Sequence, residues 1–206
     1  MVIVPQKIKP FLYRKLFGYS IGKNVKIGLS YIDSKDLLIA DNVRIGHFNI
    51  LKSIKKISIG KNSYIGNFNQ LFGGENRDFP WKSELILGDK VLIMSHHFMD
   101  ITGSICIGNQ TTIAGRDSHF WSHSLVKTND KNGGFKRVAL NINIGENVYV
   151  GARATLVGCV IPNQSVVGAG SVVTKNFSQE NNRVLIAGNP ATVKKRYEED
   201  NFDKVL

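Results

Sequence analysis

The chain has 206 residues and a formal net charge of +11, with 27 lysines and arginines against 16 aspartates and glutamates. No run of about eighteen apolar residues occurs, which excludes a transmembrane helix. The N-terminus shows no long apolar stretch with a small-residue cleavage site, so we expect a cytoplasmic protein. In that compartment Cys106 and Cys159 are expected to be buried free thiols and not a disulfide.

Residues 1–20 are predicted to form a separate N-terminal piece. The segment 5–17 mixes apolar side chains, Phe11 and Leu16 among them, with four positive charges. We favour a short helix that caps the open end of the next domain, where unpaired strand edges would otherwise be exposed. The alternative is contact with a membrane surface.

A six-residue period dominates residues 21–176. An aliphatic residue followed by glycine recurs at this spacing, as in Ile21-Gly22 and Ile27-Gly28, and again in Ile59-Gly60 and Ile65-Gly66. This period fits neither an α-helix nor a simple strand. It is typical of a chain that turns a corner every six residues and stacks coil on coil. We therefore predict an all-β parallel β-helix with about eighteen residues per coil; the strict register argues against a β-sandwich.

Three irregularities interrupt the period. Projecting loops are predicted at residues 72–84 and 124–141, and loops on a rigid scaffold commonly carry functional groups. The step from Leu156 to Ile161 has five residues, for which we expect a β-bulge. In the strict period Asp117 takes a small-residue position and His119 an aliphatic one. His119 is therefore expected to be a partly buried core histidine.

The C-terminal third carries the most specific motifs. The stretches NINIGENVYVGARATLVGCVIPNQSVVGAGSVVTKNF and VLIAGNPATVKKR resemble the hexapeptide-repeat (left-handed β-helix) acyltransferases, over roughly residues 21–196. The nearest resemblance is to sugar O-acetyltransferases of the maltose, galactoside and bacterial polysaccharide type. The left hand of the helix comes from this resemblance and runs against the usual crossover rule. The family resemblance implies three parts: a cap or helix in 1–20, a catalytic β-helix in 21–176, and a connector, strand and short helix in 177–206.

The resemblance implies an enzyme that transfers acetyl from acetyl-CoA to a hydroxyl of a sugar or bacterial surface polysaccharide precursor. His123, directly before the second loop, matches the family's general base, a task that suits an imidazole at neutral pH. Four residues are expected to bind or orient the acceptor: His97, Asp100, His96 and Asp117. For Asp117 a hydrogen bond inside the coil or the orientation of His123 are both open.

The acetyl-CoA site also follows from the resemblance. Its expected residues are Gly151, Ala152, Gly168, Ala169, Thr174, Lys175, Pro190 and Arg196, with Lys175 and Arg196 as phosphate contacts. The resemblance implies a homotrimer with active sites between subunits, and the loop 124–141 reaching across to a neighbour.

Other functions stay open. An N-acetyltransferase acting on an amino-sugar nucleotide would use the same base. A zinc carbonic anhydrase would need three converging histidines, for which His97, His119 and His123 are the candidates, although their spacing does not fit. A non-catalytic binding scaffold is the third alternative. We expect no bound metal, and no nucleic-acid partner because no reading helix or motif is found.

Overall fold

The protein is a parallel β-helix with an α-helix over its N-terminal end. The computed structural model describes residues 4–6, 8–74, 81–128 and 133–198. The helix α1 is Lys9–Phe17. In chain order the strands are β1 Ser20–Ile21, β2 Lys26–Ile27, β3 Tyr31–Ile39, β4 Arg44–Ile45, β5 Ile50–Ile59, β6 Tyr64–Ile65, β7 Gln70–Gly73, β8 Glu84–Leu87, β9 Leu92–Ile93, β10 Phe98–Ile101, β11 Ser104–Ile107, β12 Thr112–Ile113, β13 His119–Trp121, β14 His123–Lys127, β15 Phe135–Ala139, β16 Ile142–Ile144, β17 Tyr149–Val150, β18 Thr155–Val157, β19 Val160–Ile161, β20 Val166–Val167, β21 Val172–Val173, β22 Val184–Gly188 and β23 Ala191–Arg196.

The strands stack into three faces. The first face runs β2-β4-β6-β9-β12-β17-β20-β22, with β23 at its edge. The second face consists of the first parts of β3 and β5, then β7, β10, β13, β18 and β21. The third face consists of β1, the last parts of β3 and β5, then β8, β11, β16 and β19. The long strands β3 and β5 therefore continue around the corner between the second and third faces.

The core consists of aliphatic rows, one buried residue per coil on each face. On the first face these residues are almost fully buried: Ile27, Ile45, Ile65, Ile93, Ile113, Val150, Val167 and Ile186. The rows lie in register because each residue pairs with its counterpart one coil away, as Ile27 does with Ile45. Ile21 pairs with Ile39, eighteen residues on, whereas Ile39 pairs with Ile59, twenty residues on. The predicted coil of about eighteen residues is confirmed in the first coil, and the coils that carry the two loops are longer, as from Ile59 to Leu87 and from Ile107 to Ile144.

Most of the extra length lies at one corner, between the second and third faces, which we call the insertion corner. The chain takes eight residues from Leu51 to Ile59 there, and both predicted loops leave from it. In the second loop, β14 and β15 pair as an antiparallel hairpin. In the first, Phe72 and Gly73 belong to β7, and residues 75–80 lie outside the described part of the chain.

We predicted a β-bulge for the short step between Leu156 and Ile161. The structure instead has a tighter turn at the insertion corner. The strands on both sides keep their register, with Leu156 opposite Val173 and Ile161 opposite Ile144. Gly158 makes the turn with a φ of 45°, and a Cβ there would lie 2.6 Å from Cβ of Leu140. The chain makes this step with five residues instead of six because the turn is tighter. Only glycine fits the turn, since a side chain would have an unfavourable φ and would clash with Leu140.

A ladder of buried polar side chains runs inside the corner between the first and second faces. Asn49, Asn69 and His97 occupy equivalent positions in successive coils, and each carbonyl or ring acceptor receives a backbone N–H from the next coil. For His97 this contact joins Nδ1 to the N–H of Ser118 over 3.2 Å. Burial lowers the pKa of His97 to about 4, so this imidazole is neutral in the folded protein.

The N-terminal helix closes the first coil. Arg14 donates hydrogen bonds to the carbonyls of Ile21 and Gly22, at 2.8 and 2.6 Å, and Lys9 donates to the carbonyl of Gly28. The predicted cap is therefore present. Within the described residues, no helix is both long and apolar enough to span a membrane.

The predicted C-terminal helix is wrong over residues 194–196. Ala191–Arg196 is a strand, antiparallel to Val184–Gly188, which itself extends the first face. The open edge of β22 explains this outcome, since a returning strand satisfies backbone groups that a helix would leave unpaired. Residues 199–206 lie outside the described part of the chain.

Replacing His97 with asparagine is expected to make the fold less sensitive to acid. The unfolded histidine takes up a proton near its ordinary pKa of 6.5, whereas the folded one does so near 4. The unfolding free energy therefore keeps the full contribution of neutral His97 above pH 6.5, and this contribution is lost as the pH falls towards 4. Between pH 7 and 5 this costs wild type about 2 kcal/mol of unfolding free energy. Denaturant titrations of His97→Asn at both pH values should show a correspondingly smaller loss.

The control for this measurement is His119→Asn, which removes an exposed histidine from the neighbouring coil. Asparagine suits position 97 because Asn49 and Asn69 fill the same ladder. Equal acid sensitivity of wild type and His97→Asn, at one protein concentration, would contradict the neutral buried state of His97.

Candidate active site

His123 lies at the insertion corner, and the residue before it is held on two sides. Ser122 is fully buried, and its hydroxyl donates to the carbonyl of Asp100 at 2.6 Å and accepts the N–H of Gly103 at 2.8 Å. Its carbonyl accepts the N–H of Leu140 at 2.8 Å, where the second loop returns. His123 then opens the hairpin opposite Ala139. Both ends of the loop are thus anchored beside this imidazole.

The carboxylate of Asp100 faces the imidazole of His123. The Asp100 Oδ2 atom lies 3.0 Å from Nδ1 of His123, and Oδ1 accepts the N–H of Thr102 at 2.9 Å. Oδ2 lies within ion-pair distance, yet Nδ1 has no well-aligned hydrogen-bond partner, so the pair is a close polar contact. The exposed fractions are 28% for the His123 side chain and 14% for that of Asp100. Asp100 thus occupies one ring nitrogen and leaves Nε2 for a substrate proton.

Trp81 is the neighbour that the sequence analysis did not assign. It is 2% exposed, and its ring meets His123 nearly edge-on, with 6.3 Å between centroids and 64° between planes. Its carbonyl accepts a hydrogen bond from the ammonium of Lys55. One sequence feature could have indicated this contact: Trp81 is an aromatic residue in the first loop, and both loops leave from the insertion corner.

The other predicted acceptor residues lie at the corner between the first and second faces. His97 belongs to the internal ladder, with its side chain 1% exposed. His96 is exposed and stacks on Phe68 at 4.9 Å between ring centroids. Asp117 neither hydrogen-bonds inside the coil nor contacts His123. Its exposed carboxylate lies 3.3 Å from Nε of Arg116.

A seven-residue step explains why Asp117 and His119 do not take the small-residue and aliphatic positions that the strict period predicts for them. From Ile113 the next core residue of the second face is Phe120, which is fully buried, and not His119, which is exposed. The extra residue also moves Ser118 into the polar ladder in place of Asp117. One added residue at a corner thus turns both side chains outward.

The predicted cofactor residues form two groups. Gly151-Ala152 and Gly168-Ala169 follow first-face strands, whereas Thr174 and Lys175 are exposed at the insertion corner after β21. A Cβ on Gly151 would lie 2.6 Å from the backbone nitrogen of Ala169, so coil stacking alone requires this glycine.

The two C-terminal cofactor candidates lie in the last hairpin. Pro190 is in the turn between β22 and β23. Arg196 pairs with the carboxylate of Glu180, although its side chain is still 64% exposed. A phosphate contact by Arg196 would therefore compete with an existing ion pair.

Both cysteines are free thiols, as predicted. Cys159 is buried, which raises the pKa of its thiol to about 12, whereas Cys106 is half-buried and its pKa is raised for the same reason. Neither is a ready thiolate nucleophile at neutral pH. Across the described residues, no three histidine, cysteine, aspartate or glutamate side chains converge in a way that would hold a metal ion.

Comparison with known proteins relates the chain to acetyltransferases. No protein-family model matches it. It is 28% identical over 158 residues to the bifunctional protein GlmU of Blochmanniella pennsylvanica, covering 72% of this chain and 33% of that protein. It is 31% identical over 138 residues to the galactoside O-acetyltransferase of Escherichia coli K12, covering 66% and 52%. The chain thus spans about a third to a half of these curated relatives.

Solved structures share the fold. The AntD N-acyltransferase of Bacillus cereus, crystallised with dTDP-4-amino-4,6-dideoxyglucose and coenzyme A, superposes with a TM-score of 0.61 at 18% identity, covering 92% of this chain and 90% of AntD. The polysialic acid O-acetyltransferase OatWY superposes at 0.50 with 21% identity, covering 91% and 96%. The predicted resemblance is confirmed: the relatives of this chain are hexapeptide-repeat acetyltransferases, and the fold is their left-handed parallel β-helix.

Proposed function

We propose that the protein transfers an acetyl group directly from acetyl-CoA to a hydroxyl of a sugar or of a bacterial surface polysaccharide precursor. The observation that carries this proposal is the contact between Asp100 and His123 at the insertion corner. A carboxylate on Nδ1 and an open Nε2 form the arrangement that a general base needs.

In the proposed reaction Nε2 of His123 takes the proton of the acceptor hydroxyl. The acceptor oxygen attacks the thioester carbonyl, and the new C–O bond forms as the carbonyl electrons move to oxygen. Collapse of this intermediate breaks the C–S bond, and the departing thiolate takes the proton back from the imidazolium. Asp100 stabilises the imidazolium between these steps, and Trp81 covers one side of the ring. Neither cysteine is needed for an acyl-enzyme.

The acceptor class rests on the relatives. The galactoside O-acetyltransferase of Escherichia coli supports transfer to a hydroxyl. AntD, an N-acyltransferase, supports the second candidate, transfer to the amine of an amino-sugar nucleotide. The same base serves both reactions, and we favour the hydroxyl because that relative is more similar in sequence. The histidines considered for zinc do not support a carbonic anhydrase, because His97 is in the ladder and His119 faces outward.

The positions of the cofactor candidates support an assembly of several subunits. Gly151 and Gly168 lie at one corner of the chain, and Thr174 and Lys175 at another. A groove between two copies brings such corners together, so we propose a homotrimer that binds acetyl-CoA between subunits. Lys175 is the proposed phosphate contact, since its side chain is exposed.

The N-terminal helix supports a further proposal, contact with the inner face of the membrane. Ile8, Phe11 and Leu16 lie at helical spacing and are 49%, 56% and 63% exposed. Lys15 lies over the ring of Phe11. Apolar side chains flanked by cations, on a chain with a charge of +11, suit an anionic lipid surface.

Acetyl-CoA is expected to bind wild type and His123→Ala equally, and Lys175→Ala about tenfold more weakly. The base contributes to chemistry and not to cofactor affinity, whereas a charge-assisted phosphate contact is worth about 1–3 kcal/mol. Isothermal titration of acetyl-CoA into the three proteins measures this. Lys127→Ala, in the hairpin, is the matched control for loss of one charge. Absence of binding to wild type would overturn the proposed function.

Transfer rates are expected to show that Asp100 acts through His123. Loss of the base lowers kcat by about 10²–10⁴-fold. Asp100→Asn should lower kcat with an unchanged KM for acetyl-CoA, and adding Asp100→Asn to His123→Ala should cost almost nothing more, because coupled residues are not additive. Asp36→Asn, which changes an exposed carboxylate in β3 in the same way, is the control. Full additivity of the two variants would mean that Asp100 acts independently of the imidazole.

Vesicle binding is expected to depend on the exposed face of the helix. Phe11→Ser together with Leu16→Ser should weaken co-sedimentation with phosphatidylglycerol vesicles at least about tenfold, because two half-exposed apolar side chains no longer enter the lipid. Leu125→Ser with Phe135→Ser, in the hairpin, removes comparable exposed side chains and should change nothing. Equal binding by both double variants, or none by wild type, would rule out this surface.

A further inference from the structure

A groove with aromatic walls crosses the outer surface of the second face. Its volume is about 380 Å³, and its walls include Phe68, Gln70, His96, Phe98, His119 and Trp121. We call these six residues the aromatic groove. The ring of Phe98 lies at its centre, 5.1 Å from the Trp121 ring and 5.9 Å from the His119 ring. Exposed rings separated by imidazole and amide groups offer flat apolar surfaces beside hydrogen-bonding groups.

The aromatic groove reaches Trp121, next to the residues of the proposed base. Asp100 pairs with Trp121 in the next coil, and Trp121 precedes His123 by only two residues. The carboxylate that contacts the imidazole therefore projects from the same strand that carries Phe98. A molecule that lies in the groove has one end at the reacting position.

At its other end the groove continues into a stack of rings along the helix axis. Phe48 stacks on Phe68 at 5.1 Å between centroids, and Phe68 stacks on His96 at 4.9 Å. Phe48 and Phe68 are 54% and 46% exposed. Because Phe68 and His96 already line the groove, Phe48 lengthens the surface by one coil beyond it.

The backbone of these three stacked residues is unfavourable for aromatic side chains. Phe48, Phe68 and His96 have φ values of 58°, 59° and 63°, a region where glycine and asparagine are preferred. At the corner between the third and first faces the same conformation is taken by asparagine in four coils, Asn24, Asn42, Asn62 and Asn147, and by lysine or glutamine in the others, Lys90, Gln110 and Gln164. Phe48 and Phe68 therefore keep their rings against a local cost, which favours a binding role for these two exposed side chains.

The charge of the groove identifies what it fits. Although the chain has 27 lysines and arginines, the described lining of the groove contains none. Asp117 also lines it, and the guanidinium of Arg116 lies 3.3 Å from that carboxylate. This lining lacks the cations that a diphosphate or a sialylated chain requires. Aromatic faces with amide, imidazole and carboxylate groups fit the apolar faces and hydroxyls of uncharged sugar rings.

We infer that the aromatic groove and its stack bind an uncharged glycan chain several sugar units long, and deliver one of its hydroxyls to His123. This inference rests on the proposed function and narrows it to a polymeric, neutral acceptor. A free monosaccharide would fill only the part of the groove near Trp121. A nucleotide sugar would place its diphosphate against a lining that contains no lysine or arginine, beside an arginine, Arg116, that already faces the Asp117 carboxylate.

The test compares acceptors of different length and charge. Acetyl transfer from acetyl-CoA is measured on a panel of gluco-, galacto- and manno-oligosaccharides from monosaccharide to octasaccharide, with sialylated oligosaccharides and nucleotide sugars beside them. We expect kcat/KM to rise with the length of a neutral chain. Phe68→Asn with His96→Asn should remove about tenfold of that gain, with an unchanged KM for acetyl-CoA. Asparagine suits both backbone positions, so these variants are expected to fold.

The matched control is Tyr149→Asn, which removes an exposed ring from the outer surface of the first face. Wild type that binds no acetyl-CoA would defeat the proposed function itself. Transfer that is fastest with a nucleotide sugar or a sialylated chain, or that is independent of length, would overturn the glycan groove alone. A lower oligomeric mass of the Phe68→Asn, His96→Asn protein in sedimentation equilibrium would also overturn it, because the rings would then form a subunit contact.

Discussion

The in-register stacking of aliphatic residues is the constraint on which the whole molecule depends. Each coil must place one apolar side chain on each face directly beneath its counterpart, since parallel pairing and core burial fail together if the register slips. Ile27, Ile45 and Ile65 illustrate the rule with paired backbones and no exposed surface. Added residues consequently have only the corners available to them. The protein concentrates them at one corner, where two loops and a tightened glycine turn lie above one another.

The added residues at the insertion corner bring side chains that are distant in the sequence into one site, without any special sequence motif. Asp100 and His123 belong to neighbouring coils, and the pairing of Asp100 with Trp121 leaves His123 just beyond the strand end. Ser122 then ties the two coils together through its hydroxyl, and its carbonyl anchors the returning hairpin. The imidazole is thus held by the same backbone register that forms the core, with a carboxylate supplied by the coil before it. Trp81 arrives from the other loop at that corner.

The sequence was sufficient for whatever depends on the six-residue period alone. The core rows, the corner loops and the position of His123 before the second loop follow from spacing and resemblance. The positions predicted for Asp117 and His119 within the period were wrong because the step from Ile113 to Phe120 has one residue more than the period. Nothing in a single sequence marks at which corner position this residue enters. The helix predicted to begin at Lys194 was wrong over residues 194–196 because the chain pairs there with the edge of β22. Contacts between coils, such as Trp81 with His123, have no fixed spacing along the chain.

The corners also differ in the conformational free energy that their residues lose in the left-handed backbone, and this difference distinguishes structural corners from the aromatic one. Left-handed backbone recurs at the corner before the first face. In its first coils asparagines adopt it, and Asn24, Asn42 and Asn62 hydrogen-bond from coil to coil, whereas Lys90, Gln110 and Gln164 adopt it in later coils. Asparagine pays little for that conformation, because its short side chain bonds locally. Phenylalanine has no such compensation, so each ring at the corner before the second face costs about 1–2 kcal/mol relative to the scaffold's own solution. Mutual stacking of Phe48, Phe68 and His96 returns part of this, at about 0.5–1.5 kcal/mol per ring pair. Stability alone therefore gives little reason for aromatic residues at this corner, whereas a ligand with flat apolar faces does.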